Sequence, residues 1–248
     1  MDRVAFSIFG IEVMWYGILI STGVLLGIVV ALRECKRVGF KEDNLIDFLL
    51  YAIPSSILGA RAYYVIFSWD YYSKNLNEII NIRQGGLAIH GALIAGVIVG
   101  ILFCKKRKIN VFQILDIVIP SVALGQSIGR WGNFVNQEAY GGPTNLPWGI
   151  IVDGVKVHPT FLYESIIDFA LFLFLIRFRK NKRKAQGEVF ALYIIIYSIG
   201  RFIVEGLRTD SLMFLNMRVA QLISVFLVVV GIYLFNVLRK QNSSIDDK

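Results

Sequence analysis

Apolar runs of about twenty residues alternate with short polar segments along the chain, at 14–32, 45–67, 86–104, 111–130, 160–178, 188–206 and 216–238. The hydrocarbon layer of a bilayer is about 30 Å thick, and a helix needs about 20 apolar residues to cross it. The pattern predicts an all-α polytopic integral membrane protein with about seven transmembrane helices. The polar segments are not equivalent. Basic residues gather after alternate runs: Arg33, Lys36, Arg37 and Lys41; Lys105 to Lys108; Arg177, Arg179, Lys180, Lys182, Arg183 and Lys184; and Arg239 with Lys240. The segments between are poorer in Lys and Arg. Such asymmetry places the N-terminus outside and the C-terminus in the cytoplasm.

A mean hydropathy of +0.61, with 56% hydrophobic residues, excludes an ordinary soluble domain. The formal net charge of +8 suggests nucleic acid at first sight. Its confinement to alternate loops explains it better as a topology signal that contacts anionic membrane lipids, so no nucleic-acid partner is expected. Asp2–Val13 lacks a basic stretch followed by a small-residue cleavage site. The first run is therefore expected to double as the insertion signal. No repeat or soluble segment interrupts the chain, so 1–248 reads as one membrane-embedded domain with a disordered cytoplasmic tail at 241–248. On this topology the loop at 131–159 lies outside. Its glycines and prolines predict turns, and Trp131, Tyr140 and Trp148 suit headgroup level. Cys35 and Cys104 fall at cytoplasmic span ends, where a disulfide is not expected.

Charge inside the apolar runs carries the chemical information. Arg61, Glu164, Asp168, Arg201 and Glu205 lie in or at the ends of runs, and His90 lies near a run's start. Such groups are costly in lipid and face a bundle interior or a watery cavity. The densest cluster is GRWGNFVNQEAYGG at 129–142. Arg130, Asn133 and Asn136 are spaced by three, so one helical face can present them together. A guanidinium meets phosphate as a bidentate fork, and amides add donors. The alternative is an Arg–Glu pair, using Glu138, that staples the loop to the helix end. GRFIVEGLR at 200–208 holds a second set. Arg201 and Glu205 are four apart and can pair, with Arg208 nearby; the same spacing also suits a purely structural ion pair.

His90, in GGLAIHG, is the best general base available by side-chain type, unless it only packs between helices. His158 opens HPTFLYE and reads as a helix-start residue. Two distant histidines make no metal site, and none is expected. Tyr16, in MWYG, is either an interfacial aromatic or a headgroup contact. No serine or cysteine sits beside a base, so any nucleophile must come from a substrate. The residues together describe an outward, lipid-accessible cavity for an anionic ligand.

GRWGNFVNQEAYG resembles the signature of the bacterial prolipoprotein diacylglyceryl transferase family, with each fixed position present from Gly129 to Gly141. WYG at 15–17, GARAYYV at 59–65, GGLAIHG at 85–91, HPTFLYE at 158–164 and GRFIVEGLR at 200–208 extend the likeness over the whole chain. Phe161 departs from it, standing where many members carry glutamine.

The resemblance implies a multi-pass transferase of the bacterial cytoplasmic (inner) membrane, its active site toward the outer face. It would move the sn-1,2-diacylglyceryl group of phosphatidylglycerol onto the lipobox cysteine of a preprolipoprotein signal peptide. A thioether forms and glycerol 1-phosphate leaves. By family likeness Arg130 is the main lipid contact, with Asn133, Asn136, Glu138 and Tyr16 shaping the headgroup site. Glu205 orients Arg201, and His90 is the candidate base, with a water relay or Glu138 as the other options. Loop 131–159 is a candidate peptide-docking region, and no cofactor is implied. The competing readings are a phospholipid transporter or flippase and a non-catalytic lipid-binding subunit. A transporter would usually show two related halves or matching broken spans.

Overall fold

The computed structural model describes residues 3–82 and 85–246, with side chains described as far as Gln241. In chain order the elements are β1 (Val4–Ile8), β2 (Ile11–Met14), α1 (Trp15–Val38), α2 (Glu42–Phe67), a short α3 (Trp69–Tyr72), α4 (Ile89–Arg107), α5 (Val111–Asn136), β3 (Ile150–Val152), β4 (Val155–Val157), α6 (Thr160–Asn181), α7 (Glu188–Glu205), β5 (Met213–Phe214), β6 (Met217–Arg218) and α8 (Val219–Asp246). The long helices fall on the expected apolar runs. Five of them, α1, α2, α4, α5 and α8, are long and apolar enough to cross a membrane. The remaining two are charged within: α6 carries Glu164 and Asp168, and α7 carries Glu188, Arg201 and Glu205.

Two departures from the sequence reading concern boundaries and hairpins. Helix α5 runs to Asn136, six residues past the expected end at 130. The Trp131 indole N–H donates to Ser165 Oγ (3.1 Å), and Trp131 and Phe134 pack edge-on and stacked against Phe161, so the helix is held by α6 beyond its apolar run. Helical backbone likewise continues to Asp246. The end of the expected tail, and Asp2 of the N-terminal segment, lie outside the described residues. Each non-helical segment carrying strands is an antiparallel hairpin, β1–β2, β3–β4 and β5–β6.

The chain divides into two compact units, Met1–Glu34 with Leu115–Lys248, and Cys35–Ile114. In the first unit small residues let helices approach closely. A Cβ at Gly27 would lie 3.3 Å from Ser121 Cβ, and the Ser121 hydroxyl donates to Gly27 O (2.7 Å). Without a hydrophobic drive between helices in lipid, such close backbone packing and side-chain hydrogen bonds supply the attraction. Ser127 and Ser165 hydroxyls donate to each other's carbonyls (2.8 and 2.9 Å), locking α5 to α6. Tyr193 OH donates to Gln126 (2.9 Å), joining α7 to α5. Buried Ile119, Ala123, Leu171, Leu175 and Val189 fill the space among these three helices.

The first turn of α7 is fixed by a carboxylate from α5. Asp116, buried, accepts the backbone N–H groups of Gly187 (2.8 Å) and Phe190 (3.0 Å). Amides at a helix start have no partner within the helix, and a carboxylate there satisfies them and complements the helix dipole. Glu34 with Arg179 (3.3 Å) and Glu188 with Arg239 (3.1 Å) add ion pairs between helices.

The second unit is built on α2 packed against α4. A Cβ at Gly91 would overlap Gly59 O and Tyr63 Cβ, so both helices need glycine at the crossing. Arg61, buried on α2, donates to four carbonyls: Glu78 (2.6 Å), Ile79 (2.8 Å), Gly85 (3.0 Å) and Gly86 (3.0 Å). It also lies over the Tyr72 ring (5.1 Å). Gly85 and Gly86 turn the chain with φ of 90° and 74°, a conformation open to glycine. Arg61 thus ties the connection before α4 to α2 and is consumed in doing so.

Candidate active site

The first unit gathers its charge where the C-terminal ends of α5 and α7 meet the N-terminal part of α6. Glu164, one turn into α6, is the meeting point. Its Oε1 accepts Arg201 Nη1 at 2.6 Å, and its Oε2 faces Arg130 Nη1 at 3.2 Å and Arg208 Nη1 at 3.9 Å. Asp168, one turn further, faces Arg130 Nε at 4.0 Å. Glu205 pairs with Arg201 Nη2 at 2.7 Å, as their four-residue spacing on α7 predicts. Arg208 is clamped from the other side by Asp210, at 2.9 and 2.6 Å. Those hydrogen bonds hold the Asp210 carboxyl below its usual range. Arg130, Glu164, Ile167, Asp168, Tyr197 and Arg201 line a small pocket of about 10 Å³.

The local fold explains why these groups coincide. The Ser127–Ser165 pair sets α5 against α6 within one turn of both Arg130 and Glu164. Gly200 lets Ile167 lie against α7, since a Cβ there would come within 2.7 Å of the Ile167 side chain. Gly141 N–H donates to His158 O (2.9 Å) and Gly142 N–H to Leu207 O (2.9 Å), so the loop after α5 is stitched to the loops flanking α6 and α7.

A second polar group adjoins the end of α5. Asn133 and Asn136 both donate to Glu138 Oε1, at 3.0 and 3.3 Å. Gln137 and Ala139 hold φ of 54° and 57°. This left-handed turn, unfavourable for residues with a Cβ, folds Glu138 back toward the helix it follows. The Thr160 hydroxyl donates to Ala139 O and fixes the turn from α6. Tyr16 packs its ring over Gly132, where a Cβ would sit 2.8 Å from the ring's Cε2. Arg130, Asn133 and Asn136 do share a face of α5, and the alternative of an Arg–Glu pair within the signature is not what the described residues form. Glu138 takes the asparagines, and Arg130 takes carboxylates from α6.

His90 lies in the second unit, exposed in the first turn of α4, with its ring centroid 6.0 Å from that of Tyr63. His158, in the first unit, has Nδ1 3.3 Å from Tyr163 OH, and Tyr163 OH accepts the Trp148 indole N–H (2.9 Å). Among the described residues no group of three or more His, Cys, Asp or Glu side chains could hold a metal ion.

Sequence reasoning set Glu164 with Arg130, Arg201 and Glu205 in the outer half of the bilayer, Asp168 among the intramembrane charges and Arg208 in the GRFIVEGLR group, but gave none of Glu164, Asp168 and Arg208 a role in the site. Their signal was the cost of an acid inside an apolar run, which requires a cation somewhere; the partner's identity needed the fold. The arrangement is chemically an arginine cluster backed by carboxylates, suited to an anion with several oxygen acceptors.

The family model for prolipoprotein diacylglyceryl transferase matches residues 3–237. The chain is similar to proteins named phosphatidylglycerol–prolipoprotein diacylglyceryl transferase in several bacteria. It is 57% identical to that of Finegoldia magna over 248 residues, covering 100% of both chains. It is 56% identical to that of Clostridioides difficile strain 630 over 244 residues, 98% of each. For Bacillus cereus strain Q1 the figure is 52% over 256 residues, covering 98% of this chain and 94% of the relative. The arginine-bearing signature, the helical membrane fold and full-length similarity agree: this chain belongs to the prolipoprotein diacylglyceryl transferase family.

Proposed function

We propose that this membrane transferase moves the sn-1,2-diacylglyceryl group of phosphatidylglycerol to the lipobox cysteine of preprolipoproteins, the first step of bacterial lipoprotein maturation. The observation that carries the reading is the convergence of Arg130 and Arg201 on Glu164, in a chain whose relatives bear that activity in their names. The seven long helices cross the inner membrane with the N-terminus outside and the C-terminus in the cytoplasm. The alternation of basic clusters supports this. On that topology the C-terminal ends of α5 and α7, and with them the arginines, face the outer leaflet, where secreted preproteins emerge.

The reaction joins the cysteine sulfur to the glyceryl carbon that bears the phosphate. The carbon–oxygen bond breaks, its electron pair goes to the phosphate oxygen, and glycerol 1-phosphate departs. The thiol loses its proton to a base. Arg130 and Arg201 hold the phosphodiester and stabilise the charge that grows on the departing oxygen, an effect of about 3–4 kcal/mol per well-placed donor. Asn133, Asn136 and Glu138 shape the headgroup pocket with Tyr16, and Glu205 orients Arg201. Arg208, which also reaches Glu164, joins the phosphate site. The outer segment 131–159, helical as far as Asn136, receives the peptide.

His90 is the base in this scheme. A free thiol has a pKa of about 8.5 and is mostly protonated at neutral pH, and imidazole is the side chain suited to accept that proton. His158 is engaged with Tyr163, which favours His90. In the decisive assay, purified protein in liposomes is given labelled phosphatidylglycerol and a lipobox peptide. The expected product is a peptide carrying diacylglycerol through a thioether. Lipid that crosses the bilayer while the peptide stays unmodified counts against the reading and for a flippase. His90→Asn is expected to slow transfer by about 10²–10⁴-fold at neutral pH. The deficit shrinks as the pH approaches the thiol's own pKa. A full rate at neutral pH removes His90 as the base.

A further inference from the structure

The arginine cluster is not a simple positive hole. Arg130 from α5, Arg201 from α7 and Arg208 after it are faced by Glu164 and Asp168 from α6, Glu205 from α7 and Asp210 from the following loop. Tyr197 lines the same pocket, and Glu138 and Tyr16 lie toward Arg130. The layering is ordered. The Arg130 and Arg201 side chains are 20% and 23% exposed, whereas those of Glu164, Asp168 and Glu205 are 6%, 3% and 3% exposed. For Arg130 and Arg201 the guanidinium stands in front and the carboxylates behind, whereas Arg208 is 11% exposed and its partner Asp210 is 52% exposed. Counting formal charges, the four acids outnumber the three arginines.

That balance matters for the proposed reaction, on which this inference rests. The substrate phosphodiester carries one negative charge. The phosphomonoester released gains a second above about pH 6. Arginines without counter-charge would grip the dianion harder than the substrate, and turnover would stall on product. Carboxylates beside them weaken the hold on a dianion more than on a monoanion. Among the described residues Glu164 alone lies within 4.0 Å of all three arginines.

We propose that Glu164 makes the arginine cluster favour a singly charged phosphodiester over a doubly charged phosphomonoester, and thereby governs product release. It is a positioning residue acting through Arg130, Arg201 and Arg208. The test is competitive inhibition of the full-length enzyme by glycerol 1-phosphate and by glycerophosphoglycerol, a soluble phosphodiester, at about pH 5.5 and about pH 8. For the parent protein, the monoester should bind no tighter at the higher pH. Glu164→Gln should tighten the monoester about tenfold relative to the diester at the higher pH, and lower kcat more than KM. Glu164→Asp, which keeps the charge, should retain the parent ratio.

A parent enzyme that binds the monoester tighter as pH rises overturns the proposal, and that measurement needs no variant. So does a Glu164→Gln protein with an unchanged monoester-to-diester ratio. A parent that makes no thioether product counts against the transferase reading instead.

Discussion

Arg130→Ala should abolish diacylglyceryl transfer, with a fall in rate of about 10³-fold or more. Among the described residues Arg130 is the one arginine within 4.0 Å of both acids of α6, Glu164 at 3.2 Å and Asp168 at 4.0 Å. In the proposed role, its removal takes a donor from the phosphate and leaves those acids to repel the incoming lipid. Losing a single preorganised donor costs about 10²–10³-fold in well-studied sites, and the unbalanced carboxylates add to that. Arg130→Lys is the sharper variant. It preserves charge but not the fork, so it should fold normally and still lose most activity. Initial rates with labelled lipid and peptide, beside thermal unfolding of each variant, measure both effects. A lysine enzyme with parent-like rates would show that point charge suffices there.

The largest stability effect should come from a residue that carries no chemistry. Gly91→Val places its branched side chain against Gly59 O and Tyr63 Cβ, at the crossing of α2 and α4. One obstacle is backbone, which does not rotate away, so the helices must separate. Overpacking of this kind costs about 1–3 kcal/mol and more where backbone is struck. The expected result is a Tm lowered by several degrees and early unfolding of the Cys35–Ile114 unit. Gly125→Ala is the matched control, because a Cβ there meets nothing within 4 Å. Equal melting of the two variants would mean that the α2–α4 contact is looser than its geometry implies.

Helix positions were legible because an apolar run of spanning length has few alternatives. The Arg201–Glu205 pair was legible because it is local. Arg130–Glu164 was not, since those residues are far apart in sequence and meet only once α5 crosses α6. Glu138 was grouped with Asn133 and Asn136 by nearness in sequence, and a left-handed turn at Gln137 and Ala139 delivers it to both of them rather than to Arg130. One missed element did carry a signal. Asp153-Gly154, both at positive φ, is a strong hairpin dipeptide between two short β-branched stretches, and it was absorbed into a generic loop. The end of α5 was missed because an apolar run marks lipid contact, and Trp131 is held by Ser165 and Phe161 instead.

The charges within α6 and α7 bear on how the chain is made. Ribosomes deliver α5 first, then α6 with its two acids, and only later Arg201. During that interval Arg130 is the sole cation of the trio already synthesised. Until Arg201 and Arg208 are made, Arg130 alone of the three can pair the acids of α6, and its place on the preceding helix lowers the cost of setting Glu164 and Asp168 among apolar residues.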